Sequence, residues 1–275
     1  KKWAEKSNIL TAEKIGELIA HWSKGRKTEE AIELAMVLLD VLPDERSFNT
    51  GIKKSFELPP KPQARFEIWM YEQILRKYYP ELVKESGLHA LEKLCDLLEK
   101  AIIFSGHNIE DVKKEDYSYI WRIAVDENPK NIGYNVKNCL VSAIRDAAEA
   151  IIRSGNSDIK QVVESLEHRG WKIFCRIALH ILRLFFKQAD MLVRNHLVDR
   201  RLFDDVGMQH EYVLLLRTAF NHLSNQDQQL ILSWIEKGPD KERYKKLYAQ
   251  HKGVLPLETD LNRYFEEWQR ERLSW

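Results

Sequence analysis

Between Trp171 and Phe203 the polar residues Lys172, Arg176, His180, Arg183, Lys187, Asp190 and Arg194 follow one another at spacings of four, four, three, four, three and four. Those intervals place them on one stripe of an α-helix. Off the stripe the residues are largely apolar, among them Ile173, Phe174, Ile177, Ile181, Leu182, Phe185 and Val193. A helix that is apolar over most of its circumference needs cover on several sides. The pattern predicts a central helix with neighbours on both flanks and a narrow, mostly cationic seam left open.

The same periodicity, punctuated by Gly and Pro, predicts helices along the rest of the chain. Thr11 reads as the cap of a first helix that Gly25 stops, and Thr28 as the cap of a second that Pro43 ends. Further helices are predicted over about Arg65–Tyr78, Leu88–Phe104, Asn135–Arg153, Asp158–His168, Gln209–Leu223, Asp227–Lys237, Lys241–His251 and Thr259–Leu273, with a short helix or turn over Tyr117–Val125. Residues 44–63, with Gly51, Pro59, Pro60 and Pro62, read as an irregular loop. No segment alternates convincingly with period two.

Helix after helix on short connections predicts an all-α protein. The rhythm is similar to tetratricopeptide or HEAT arrays, so the expected architecture is an α-α superhelix of degenerate helical hairpins, with a compact helical bundle as the alternative. The chain is expected to form a single repeat-like domain over 1–275, with 1–105 and 106–275 as the alternative division. It starts without Met inside patterned sequence and reads as a segment of a longer polypeptide.

Composition narrows the function classes. With 43 basic and 42 acidic residues the formal net charge is +1, which argues against a generic nucleic-acid binder. Cys95, Cys139 and Cys175 each sit in apolar pattern without a CxxC pair, so they read as buried reduced thiols rather than metal ligands, and a cytoplasmic setting is expected. The first ten residues lack the apolar core of a signal peptide, and the central helix is interrupted by charge too often to span a membrane. The eight tryptophans, Trp3 to Trp275, read mostly as packing residues between helices.

Candidate chemistry is sparse. No GxxxxGK[ST] or GxGxxG loop is present to cradle a phosphate, so no cofactor is expected. His210-Glu211 begins like HExxH, but Leu214 stands where the second His must be. Arg217 and His222 have the Arg-x4-His spacing of HEPN ribonucleases, whose His works as acid or base while the Arg stabilises phosphoryl charge. Thr218 departs from the Asn, Asp or His that this family prefers after the Arg. Solvated or capping side chains are the plainer explanation of the pair. The seam of Lys172, Arg176, Arg183, Lys187 and Arg194 is the candidate partner-binding surface, for a protein first and for nucleic acid second. Pairing of the seam with Asp204, Asp205 and Glu211 is the plainer alternative.

The run from Asp116 to Arg122, then Ile123 to Asp126, Leu140 to Asp146, Phe203 to Asp205, His210 to Tyr212 and Trp234 to Gly238 resembles the helical-repeat region of bacterial antiviral STAND NTPases. Each of these residues also has a structural reading, with Ser118 as a cap, Trp121 as packing, and Asp116 with Arg122 and Arg145 with Asp146 as surface charges. The resemblance implies a sensor portion that wraps a foreign protein, such as a phage protein, while NTPase activity resides elsewhere. The expectation is therefore a non-catalytic helical scaffold that recognises a protein partner, with a HEPN-like ribonuclease or a nucleic-acid-binding array as the alternative.

Overall fold

The computed structural model describes residues 9–25, 27–43, 61–106, 117–131 and 135–275. Most of the 44–63 loop, Trp3 and Asp116 lie outside the described residues. The chain divides into two compact units, Lys1–Ile181 and Leu182–Trp275. It is an all-α array, as its periodicity predicts. Across the alternative 105/106 boundary, α5 (Leu88–Ile103) packs on α7 (Val136–Ser154).

In the first unit α1 (Ile9–Lys24) pairs with α2 (Thr28–Leu38) and also rests on α4 (Tyr79–Ser86). Gly16 permits the close approach to α4, since a methyl group there would overlap the ring of Tyr78. The predicted caps of these helices are not the observed ones. Thr11 lies inside α1, and α2 has Lys27 before it with no side-chain cap bond. Glu29 and Glu30 instead supply negative charge at the positive end of α2.

α2 also stops short of Pro43. Val41–Leu42 (β1) pairs antiparallel with Gln63–Ala64 (β2), a small sheet that the sequence pattern does not announce. Asp40 in this turn meets Arg65 at 3.3 Å and Lys100 at 2.5 Å, and the buried Tyr71 hydroxyl donates to the Leu39 carbonyl. α3 (Ile68–Lys77) ends before Pro80, which opens α4 in the first turn, where its missing N–H costs nothing.

α3, α4 and α5 pack on α7, whose inner face is Leu140, Val141, Ile144, Ala148 and Ile151. Asn135 caps α7, and Asp158 forms a reciprocal capping box with Gln161 at the start of α8 (Ile159–Glu167). Between α5 and α7 lies α6 (Ser118–Trp121), where Ser118 is buried inside the helix rather than capping it.

The predicted central helix is shorter than its pattern. α9 (Lys172–Leu184) stops at Leu184 and is followed by a 3-10 turn, Phe186–Gln188. Its polar stripe is not an open seam. Arg176 and His180 are buried together with Ile173, Phe174, Ile177 and Ile181. Arg176 donates to the Ile123 carbonyl at 2.9 Å, and the ring nitrogens of His180 lie 3.0 Å from Glu149 and 3.3 Å from Asp126. Polar groups can enter a core where partners await them, and the loop after α6 and Glu149 on α7 supply those partners. Ahead of α9, Arg169 is anchored by Asp96, Glu99 and the Glu92 carbonyl, and the Trp171 indole donates to Glu99.

The second unit continues with α10 (Asp190–Leu197), α11 (Arg200–Asp204), α12 (Gln209–Ala219), α13 (Asn225–Lys237), α14 (Lys241–Lys252) and α15 (Glu258–Leu273). Its centre is aromatic. The ring of buried Phe203 lies 5.3–6.0 Å from those of Tyr212, Trp234, Trp268 and Trp275. The buried guanidinium of Arg272 lies 4.0 Å from the centre of the Trp268 ring and 4.7 Å from that of Trp275. Gln269 reaches back to the last turn of α13, donating to the carbonyls of Ile235 and Glu236.

Candidate functional site

The residues of the predicted cationic seam are divided between the two units. Lys172 and Arg176 belong to the first unit, and Arg183, Lys187 and Arg194 to the second. Arg176 is buried, Lys172 and Arg183 are half-buried, and Lys187 is exposed beside the Phe186 ring. Arg194 makes a two-pronged pair with Asp227, with both contacts at 2.8 Å, while Ser224 donates to the same carboxylate. The acids suggested by sequence proximity act elsewhere. Asp204 pairs with Arg200, Asp205 accepts from the Gly207 amide, and Glu211 is buried.

Arg217 and His222 are likewise engaged separately. α12 ends at Ala219, so His222 sits in a 3-10 turn rather than on the helix that carries Arg217. Arg217 donates to the backbone carbonyls of Ser274 and Trp275. The His222 ring lies 5.0 Å from that of Phe186, at the edge of a 270 Å³ hollow that also takes in Met191 and the Arg194–Asp227 pair. Among the described residues no three His, Cys, Asp or Glu side chains gather in an arrangement that would hold a metal ion. No described helix is long and apolar enough to cross a membrane.

A second concavity lies in the first unit. It is an open groove of about 630 Å³ between α3 and α4 on one side and α7 with the 122–131 loop on the other. Its floor follows from the sequence of α7. Cys139, Ala143, Ala147 and Ala150 recur at spacings of four, four and three, so one face of the helix carries no bulk. Ala143 is half-exposed in this groove. Leu75, Tyr79 and Val83 form the apolar wall opposite.

Charged groups crowd one end. The Arg122 side chain, predicted on the surface, is only 3% exposed. It donates to the carbonyls of Val125 at 2.7 Å and Asn138 at 3.4 Å and to the Ser142 hydroxyl at 3.2 Å. Arg145, 11% exposed, donates to the Val125 carbonyl and grips Asp146 with two nitrogens at 2.7 and 2.8 Å. Glu127 stands over both, 71% exposed. Its Oε1 accepts from Ser142 at 2.8 Å and lies 3.0 Å from Arg145 and 3.8 Å from Arg122. Partial burial raises the Glu127 pKa, but the Ser142 hydrogen bond and the two guanidinium charges outweigh it, and the carboxyl is held below its usual range. Asn131 braces the loop by accepting from the Ala124 amide and donating to the Asp126 carbonyl. The Cys139 thiol is pushed up to about 12 by burial, which makes it a poor nucleophile.

Sequence reasoning named Arg122, Arg145 and Asp146 as surface charges and overlooked Glu127 and Ser142 as their companions. The signal available in the sequence was the small-residue stripe on α7, which marks a helix face without a bulky covering.

Fold and groove together define an all-α helical array with an open, amphipathic depression. Comparison of the chain with protein-family models, with curated proteins and with solved structures found no match.

Proposed function

We propose that this chain is a non-catalytic helical scaffold that recognises a protein partner through the groove of its first unit. The observation that carries the reading is the groove's construction. A floor of small side chains lies beside an end where charged groups are held in fixed positions by backbone carbonyls. Peptide-binding grooves join these two properties, apolar burial for affinity and fixed polar groups for register. The groove's ionisable groups are bound to one another, and its thiol is protonated at neutral pH, so recognition suits it better than bond-breaking. The resemblance to antiviral STAND sensors makes a phage protein the proposed partner, recognised within a longer cytoplasmic protein.

The test uses the tagged chain as bait in lysates of its native host, with and without phage infection. The expected result is a stoichiometric phage protein captured only after infection and lost when Ala143→Arg fills the groove. Equal capture by that variant would remove the groove from the reading. A host protein captured with or without infection would retain the scaffold and discard the antiviral role. RNA cleavage by the purified chain that disappears in His222→Ala would replace the scaffold with the ribonuclease.

A further inference from the structure

Three donors converge on a single carboxylate oxygen at one end of the groove. Ser142 Oγ, Arg145 Nη1 and Arg122 Nη2 lie 2.8, 3.0 and 3.8 Å from Glu127 Oε1. The donors are held independently of that carboxylate. Arg122 and Arg145 both donate to the Val125 carbonyl, Arg122 also to Asn138, and Arg145 also to Asp146. The acceptor, by contrast, is an exposed side chain on a loop. A fixed donor set, with Arg122 buried beneath it, that holds an exposed carboxylate has the form of an anion site filled by the chain's own residue.

We propose that Glu127 is a stand-in ligand for this site, and that the partner engages the groove through an amphipathic helical segment whose own Glu or Asp displaces it. The proposal rests on the protein-partner reading above. Three observations point to this occupant. The charged side chains lining the groove are Arg76, Arg122 and Arg145 against Glu72, Glu127 and Asp146, so when Glu127 swings out three cations face two anions. The vacated place therefore favours an anion. Next, the exchange keeps a carboxylate against the two guanidiniums in both states. Neither guanidinium is left uncompensated, and neither must be stripped of water anew. Last, the floor from Cys139 to Ala150 spans about 16 Å at 1.5 Å per residue, the length of three helical turns rather than of a single small ion. Small side chains let a second helix lie close, with aliphatic residues one turn from its acid set against Leu75 and Val83.

The experiment sorts a yeast-displayed library of twelve-residue, helix-biased peptides with the whole chain and with its Glu127→Ala variant. Enriched peptides are expected to share an Asp or Glu at one position, with an aliphatic residue three or four places away. By fluorescence anisotropy, changing that acid to its amide should weaken binding about tenfold, the scale of one charge-assisted hydrogen bond. Glu127→Ala should bind the same peptides more tightly than the parent chain, because the competing carboxylate is gone. A misfolded variant would not produce that gain. Arg145→Gln in the same background should abolish the preference for acid over amide. Enrichment of no peptide, enrichment without the acid, or equal or weaker binding by Glu127→Ala would each overturn the proposal. Partner capture by the bait tests the scaffold reading separately, so the inference can fail while the scaffold stands.

Discussion

Gly238 offers the sharpest stability test. It follows α13 with φ 75° and ψ −171°, a backbone region that is essentially glycine's alone. A Cβ placed there would overlap the ring of Phe265 on α15. That ring is held from another side by the Lys241 ammonium, 4.6 Å from its centre. Gly238→Ala therefore carries two penalties. The backbone strain costs about 1–3 kcal/mol. Relief of the overlap costs about 1–3 kcal/mol more, as in other overpacked sites. The expected loss is roughly 2–6 kcal/mol, a fall of about 1–3 M in the urea midpoint if the slope is near 2 kcal/mol/M. Tryptophan fluorescence is a suitable probe, because Trp234, Trp268 and Trp275 surround Phe203 in the same unit. Phe265→Ala supplies the second arm. In its background only the backbone penalty remains, so Gly238→Ala should cost about 1–3 kcal/mol less than in the parent. A loss below about 1 kcal/mol, or an equal loss in both backgrounds, would refute the reasoning.

Other consequences follow from single groups. The hydrogen bond from His180, aided by Arg153, holds the Glu149 carboxyl below its ordinary value of 4.5. A depressed carboxyl stabilises the fold above its unfolded value, and that contribution is lost as pH falls through the folded one. The stability gap between the parent and Glu149→Gln should therefore narrow as urea titrations move from about pH 6 to about pH 3; a constant gap would exclude this linkage. Burial pushes Cys95 and Cys139 up to about 12, whereas Cys175 is half-buried. Mass spectrometry after brief alkylation of the native protein at pH 8 should find Cys175 modified first and Cys95 untouched. The buried Tyr212 hydroxyl donates to the Leu197 carbonyl at 2.6 Å. Tyr212→Phe should lower unfolding free energy by about 1–2 kcal/mol, read by chemical denaturation, and an unchanged midpoint would show that the bond contributes nothing net.

Local sequence by itself determined the helices, their approximate bounds and the apolar core. Period-3.6 patterning acts within a few residues and marks the helices that begin near Asn135 and Asp158, although the helix that Pro80 opens, Tyr79–Ser86, is not among those it predicts. The burial of Cys95 was legible for the same reason. Tertiary structure alone decided which polar residues face inward. Arg122 and Arg176 look like surface groups in the sequence, yet each finds partners in the loop after α6. The groove shows the same division. The small residues of α7 stand in the sequence at helical spacing, but nothing local says that no neighbouring side chain fills the space above them. Likewise Arg194 turns to Asp227, which lies 33 residues away, instead of the nearer acids. Periodicity records which face of a helix is apolar. Whether a charged group lies in water or in a core depends on donors and acceptors brought up by distant segments, and that is settled only when the chain has packed.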